Sequence, residues 1–171
     1  MSWGGVASGG YMKFLTDSML GKLSRWLRIA GHDVSYSEEI GVHDDNALIS
    51  RALDEGRILL TSDVQLFRKV KKAGGRCFLI KSRDVLSQLL EISKVAGKKI
   101  ELDFENSRCP VCNGELQVTE KICVKDKVPE KVFKSQRVFW SCKRCGKIYW
   151  EGKHWKNIIE MATEYNRRVE C

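Results

Sequence analysis

Two kinds of residue in this sequence stand at spacings that could do chemistry: paired cysteines, and aspartates placed where apolar strands end. Cys109 and Cys112 form one Cys-x-x-Cys pair and Cys142 and Cys145 another, with 29 residues between Cys112 and Cys142. A two-residue gap lets both sulfurs reach one ion from a tight turn, and a nearby glycine supplies the backbone freedom such a turn needs. Four thiolates complete a tetrahedron and leave no position for water, so the expected metal is one structural zinc per chain. The cysteine count of seven is odd, which argues against a closed disulfide framework. Cys77, in the apolar run CFLI, reads as a small buried hydrophobe. Cys123, between Ile122 and Val124, reads as a strand residue and not as a ligand.

Asp17 follows a short strand begun by Phe14 and Leu15, and Asp63 follows the run RILLT. Asp44 or Asp45 opens a helix after the polar stretch SEEIGVHDD, read as a loop. If the strands are parallel, all these acids emerge on one edge. Carboxylates gathered there repel one another unless a divalent cation offsets them. Hard oxygen donors suit Mg2+ or Mn2+, which can activate water and stabilise charge on a phosphodiester. The competing role for each aspartate is to cap its own helix. Asp44 and Asp84 are assigned to capping first, with a ligand role second. Asp17, Asp45 and Asp63 are assigned to the ion. A haloacid-dehalogenase-type phosphatase would need an aspartate where Met19 stands. A receiver domain would place its acidic pair after the first strand, not the second.

The elements that must position these residues are legible in Lys13–Tyr36. Leu20, Leu23, Trp26, Leu27 and Ala30 recur at helical spacing between two short apolar segments, and Gly31 stands just past the helix. Strand, helix and strand of this length imply a parallel pair, with ligands at the carboxyl ends of the strands. Further helices are expected around Ala47–Leu53, through Leu66, Phe67 and Val70, and from Asp84 to about Ala96. Strands are expected at Arg57–Thr61 and Cys77–Ile80. The sum is four strands alternating with four helices, an α/β fold with a parallel sheet. Beyond Gly97 the composition changes. KKIELDFENSR reads as a connector, residues 108–150 as a ribbon of short β segments, and Lys153–Arg168 as a helix with Trp155, Ile158, Ile159 and Ala162 on one face.

The net charge is +8, and from Arg108 onward 14 Lys+Arg stand against 8 Asp+Glu. A basic balance of this kind fits an anionic partner, nucleic acid before a membrane surface. No run approaches the roughly 18 apolar residues of a membrane helix. Residues 1–11 are Gly-rich and lack a signal-peptide pattern, so they read as a flexible leader and the expected compartment is the cytoplasm. Lys22 and Arg25, on the helix after Asp17, are candidates for substrate phosphate. Lys143, Arg144 and Lys147 are candidates for a nucleic-acid grip on the ribbon. Trp140, Tyr149, Trp150 and Trp155 could stack on bases. His154 reads as packing against the ribbon, and neither it nor His43 as catalytic.

Phe14-Leu15-x-Asp17, Leu20-Gly21-Lys22-Leu23, Trp26-Leu27-Arg28 with Gly31 and Asp33, Asp45, and Leu60-Thr61-x-Asp63 stand in a recognisable order. Cys109-Pro-x-Cys112, Cys142-x-x-Cys145-Gly-Lys, Tyr149-Trp150 and Gly152-x-His154-Trp155 continue it. The combination resembles the Mut-seven-C RNase family, a PIN-like nuclease domain with a C-terminal zinc ribbon. The resemblance implies a PIN-like parallel sheet flanked by helices over residues 12–97, then a linker at 98–107. A zinc ribbon with the C-terminal helix follows at 108–171. It also implies metal-dependent hydrolysis of RNA by Asp17, Asp45 and Asp63. Many PIN-like nucleases carry a further acid where this chain has Gln65. A second ion would then be held weakly or would draw on Asp44 or Asp84. The other reading is a non-catalytic protein that docks on RNA or a ribonucleoprotein.

Overall fold

The computed structural model describes residues 11–169. The expected leader therefore lies, apart from Tyr11, outside the described residues. Strands β1 (Lys13–Thr16), β2 (Asp33–Tyr36), β3 (Ile58–Thr61) and β4 (Cys77–Leu79) form an all-parallel sheet in the order β2-β1-β3-β4. Neighbouring residues along each strand face opposite ways. Phe14, Val34, Leu60 and Phe78 therefore point into one core, while Leu15, Leu59 and Cys77 point into another. Helices α1 (Gly21–Ile29) and α5 (Val85–Ala96) cover the first face through Leu23, Leu27, Leu89 and Ile92. A single turn, α2 (Ser37–Ile40), lies between β2 and α3 (Asp45–Asp54). Helices α3 and α4 (Val64–Lys72) cover the second face through Leu48, Ala52, Leu66 and Val70. Leu53 is exposed rather than buried with them.

The α2 turn corrects the expectation of a loop at SEEIGVHDD. It ends at Gly41 in the left-handed conformation, φ 64°, and it carries Glu39 to the buried guanidinium of Arg28.

The ribbon is the antiparallel sheet β5 (Leu116–Thr119), β6 (Phe139–Cys142) and β7 (Ile148–Tyr149), with β6 in the centre. Its interior departs from the expected run of β segments. Lys121–Val124, Cys123 included, is a 3-10 turn, and α6 (Glu130–Ser135) follows it. This segment covers a face of the sheet instead of adding a strand. Val124 and Val128 pack with Phe139, and Val132, Phe133 and Trp150 close around them.

Helix α7 (Lys153–Val169) returns to the parallel half and packs on α5. Its Tyr165 is fully buried in the first core. The Tyr165 hydroxyl lies 2.6 Å from Ser93 Oγ and accepts the Ile100 N–H at 2.8 Å. Docking on α5 moves the buried stripe to Ala162 and Tyr165. Ile159 and His154, expected to pack, are consequently exposed. No helix among the described residues is long and apolar enough to cross a membrane.

Residues 98–107 carry no helix or strand, but they are anchored. The last carbonyls of a helix lack partners within it. Those of Arg28 and Ala30 accept the backbone N–H groups of Arg108 and Asp103, and that of Ile29 accepts Ser107 Oγ–H. Gly31, at φ 91°, admits this close approach, since a Cβ there would stand 3.1 Å from the Asp103 carbonyl.

Candidate active site and metal centre

The sulfurs of Cys109, Cys112, Cys142 and Cys145 all lie within 4.8 Å of one another. Cys109 and Cys145 are 3.7 Å apart, and Cys112 and Cys142 are 3.4 Å apart. Four thiolates about 2.3 Å from one zinc would stand about 3.8 Å apart, so the cluster fits that ion. Its surroundings fit as well. The N–H groups of Arg144 and Cys145 point at Cys142 Sγ, each at 3.4 Å, and the Tyr149 hydroxyl lies 3.0 Å from Cys109 Sγ. Burial opposes ionisation of Cys142, yet those N–H groups and hydrogen bonds from the Cys112 and Cys145 thiols together outweigh it and bring the thiol down to about 7. Burial pushes Cys112 up to about 12. A side chain at Gly114 would intrude, since its Cβ would come within 2.8 Å of Cys142 Sγ. Cys123 is exposed and stands outside the cluster.

The first cysteine turn is fastened to the parallel sheet. Asn113, in the left-handed region at φ 63°, accepts the Val34 N–H at 3.0 Å and donates to Asp33 Oδ1 at 2.7 Å. Although burial works against ionisation of Asp33, Arg57 and Asn113 hold its carboxyl below its ordinary value. Arg28 is 1% exposed and donates to both Glu39 oxygens, to the Val34 carbonyl, and to the carbonyls of Pro110 and Val111. Sequence assigned neither the bonds of Arg28 to the Pro110 and Val111 carbonyls nor those of Asn113 to β2, because these partners lie about 80 residues apart.

The acids gather at the opposite end of the sheet. Lys13 of β1 pairs with Asp33 and Thr16 pairs with Tyr36, so the cysteine turn meets β2 where that strand begins, while Asp17 follows the end of β1. Asp63 follows the adjacent β3. The strand order reverses between β1 and β3, one strand connecting outward to β2 and the other to β4, and such a switch point is where α/β sheets bind ligands. Asp17 is buried at 7% exposure. Its Oδ1 accepts the Met19 N–H at 3.0 Å, and its Oδ2 accepts the Thr61 hydroxyl and the Ser62 N–H. Burial raises its pKa despite these bonds, and the charge of nearby Asp63 adds to the rise. The Thr61 hydroxyl also accepts the Asp63 N–H at 2.9 Å, so one side chain links the two acids.

Asp63 is exposed and caps α4 through Oδ1, which accepts the N–H groups of Gln65 and Leu66. Its Oδ2 has no hydrogen-bond partner among the described residues. Asp44 caps α3, and Asp84 caps α5. Asp45, in the first turn of α3, pairs at 2.8 Å with Lys69, whose ammonium also feels Asp63 and Asp44. The ligand atoms of Asp17, Asp45 and Asp63 do not form a mutually close set like the cysteines. Asp17 and Asp63 are neighbours, and Asp45 is held by Lys69. Sequence reading missed Thr61 as the link and Lys69 as the counter-ion, although Thr61 stood in the quoted Leu60-Thr61-x-Asp63.

Among the basic candidates, Lys22 and Arg25 are exposed on α1, just beyond Asp17. Lys143 is paired with Glu115 at 2.9 Å, and Arg144 donates to the Cys112 carbonyl at 3.0 Å. Lys147 is exposed. These three belong to the ribbon, whose cysteine turn meets the sheet at the end away from the acids.

No curated protein and no solved structure matches the chain. The family model described as the Mut7-C RNAse domain matches residues 12–162, which takes in the parallel sheet, the acidic edge, the cysteine ribbon and most of α7. The match supports a nuclease-type enzyme and agrees with the resemblance read from the motifs. On this match the chain belongs to the Mut7-C RNAse domain family.

Proposed function

We propose that the protein is a metal-dependent ribonuclease that hydrolyses RNA phosphodiester bonds at the carboxyl edge of its parallel sheet. Asp17, Asp45 and Asp63 are read as ligands of Mg2+ or Mn2+, and the four cysteines as ligands of one structural zinc. The observation that carries the reading is Asp17, a buried carboxyl beside Asp63 whose ionisation is opposed by burial. A carboxylate in that position gains most from a cation. Thr61 and Ser62 fix Asp17, Asp63 offers its free Oδ2, and Asp45 can join by releasing Lys69. When bound, the ion would supply an activated water and offset charge on the phosphodiester. Lys22 and Arg25 hold phosphate near Asp17, while Lys143, Arg144 and Lys147 hold RNA farther away. Residues 12–97 serve as the nuclease domain and 108–171 as its ribbon and returning helix.

A second reading rests on the same edge. Asp17 and Asp63 each spend an oxygen on a helix N-terminus, and Gln65 stands where an acid would strengthen the site. These favour a non-catalytic protein that binds RNA or a ribonucleoprotein. Labelled RNA incubated with the zinc-loaded chain separates the two. The nuclease reading expects cleavage that requires added Mg2+ or Mn2+ and is lost in Asp63→Asn. RNA that is bound but uncut with either ion supports the second reading.

A further inference from the structure

We propose that the outer face of α4 is a track for RNA phosphates leading away from the acidic edge, with Lys69 passing from Asp45 to phosphate as the ion is taken up. The inference rests on the reading of RNA as substrate. Helix α4, VQLFRKVKK, holds four cations and no acid. Its charge is not spread around the helix. Arg68, Lys69 and Lys72 recur with Gln65 at the i, i+3, i+4, i+7 spacing of one face, while Leu66 and Val70 are buried on the other. Lys71 is set aside over the Phe67 ring, 5.8 Å from its centre.

Cations in the last turn of a helix favour its dipole wherever they occur, so basic character alone would not mark a track. Placement is the second argument. Asp63 caps the helix, so the face starts at the acids. Lys69 already reaches across to Asp45 at 2.8 Å. An ammonium on that carboxylate occupies the ligand that a divalent ion would take. Its displacement would free a positive charge next to the scissile phosphate. Arg68 and Lys72 are exposed and form no ion pair among the described residues, so they are available to successive phosphates. The ribbon cations differ, since Lys143 is paired with Glu115 and Arg144 is bonded to the Cys112 carbonyl.

The test uses the full-length, zinc-loaded chain and a labelled single-stranded RNA without added divalent ion, so that binding is read apart from cleavage. Arg68→Gln, Lys69→Gln and Lys72→Gln combined should weaken binding about tenfold at low salt. Three contacts at about 0.7 each should make the plot of log affinity against log salt shallower by about 2. The side chains are exposed, so an unchanged melting temperature will show that the fold is intact. Lys69→Gln alone should tighten Mn2+ binding by the free protein, because the ammonium no longer competes for Asp45. Unchanged RNA affinity and salt slope in the triple variant overturn the track, even if the protein cleaves RNA. Binding through α4 without cleavage under any ion overturns the nuclease and leaves the track standing. A chain with no affinity for RNA overturns both.

Discussion

At one end of the molecule four sulfurs lie within 4.8 Å of one another, whereas at the other three carboxylates each turn to a different partner. Thiols can remain neutral and pack together before a metal arrives. The ribbon adds backbone N–H groups aimed at Cys142 and has glycine at 114, where a Cβ would collide. Carboxylates at neutral pH repel, and free helix N-termini compete for them. Asp17 and Asp63 accordingly accept helix N–H groups, and Asp45 takes an ammonium. The two ends differ because thiols that keep most of their protons can sit together without a metal, whereas carboxylates turn to separate partners.

The cysteine end should give the largest effect, because apparent binding energies of structural zinc are about 10 kcal/mol or more. Stripping the metal should unfold the ribbon and also lower the melting temperature of the parallel half. Asn113 would leave the edge of β2, and Arg28 would lose the Pro110 and Val111 carbonyls. Hydrogen exchange at the Val34 amide should accelerate with it. A parallel half that melts unchanged after zinc removal would mean that the two regions are independent.

Arg28→Met sharpens the same point without touching a ligand. It removes a buried guanidinium and leaves Glu39 and several carbonyls without their donor, at a cost of about 3 kcal/mol. Urea unfolding measures it, and a loss below about 1 kcal/mol would reduce Arg28 to a filler.

The smallest effect belongs to Asp17. Its raised pKa means that the folded state holds the proton more tightly than the unfolded state. The stability linked to it is present below the ordinary carboxylate value, about 3.9, and is lost as pH rises through the raised value. Wild type should therefore lose stability relative to Asp17→Asn as pH rises above about 4 when no divalent ion is present. Added Mn2+ should cancel that loss. A difference between the two proteins that does not vary with pH would contradict the burial argument.

The parts of the fold visible in the sequence were those with short-range signals. Phe14-Leu15 before Asp17, and Leu59-Leu60 before Asp63, announce buried strands ending in acids, and the cysteine pairs announce their turns by spacing alone. The four residues of Ser37–Ile40 are too short for a helical period to show. Ile122 and Val124 have the β-branched character of a strand, but Val124 is used to pack on Phe139 across the face of the sheet. Tyr165 was invisible as a core residue because its partners, Ser93 and Ile100, come from distant parts of the chain. Lys69 illustrates a further limit, since nothing in the order of residues indicates that α4 lies within reach of Asp45.

The central claim is that Asp17 and Asp63 share a divalent ion at the end of β1 and β3. Anomalous diffraction from crystals grown with Mn2+ tests it directly. The account predicts an anomalous peak about 2 Å from an oxygen of each of these carboxylates, with Lys69 withdrawn from Asp45. An acidic edge without Mn2+, and Lys69 still on Asp45, would contradict it.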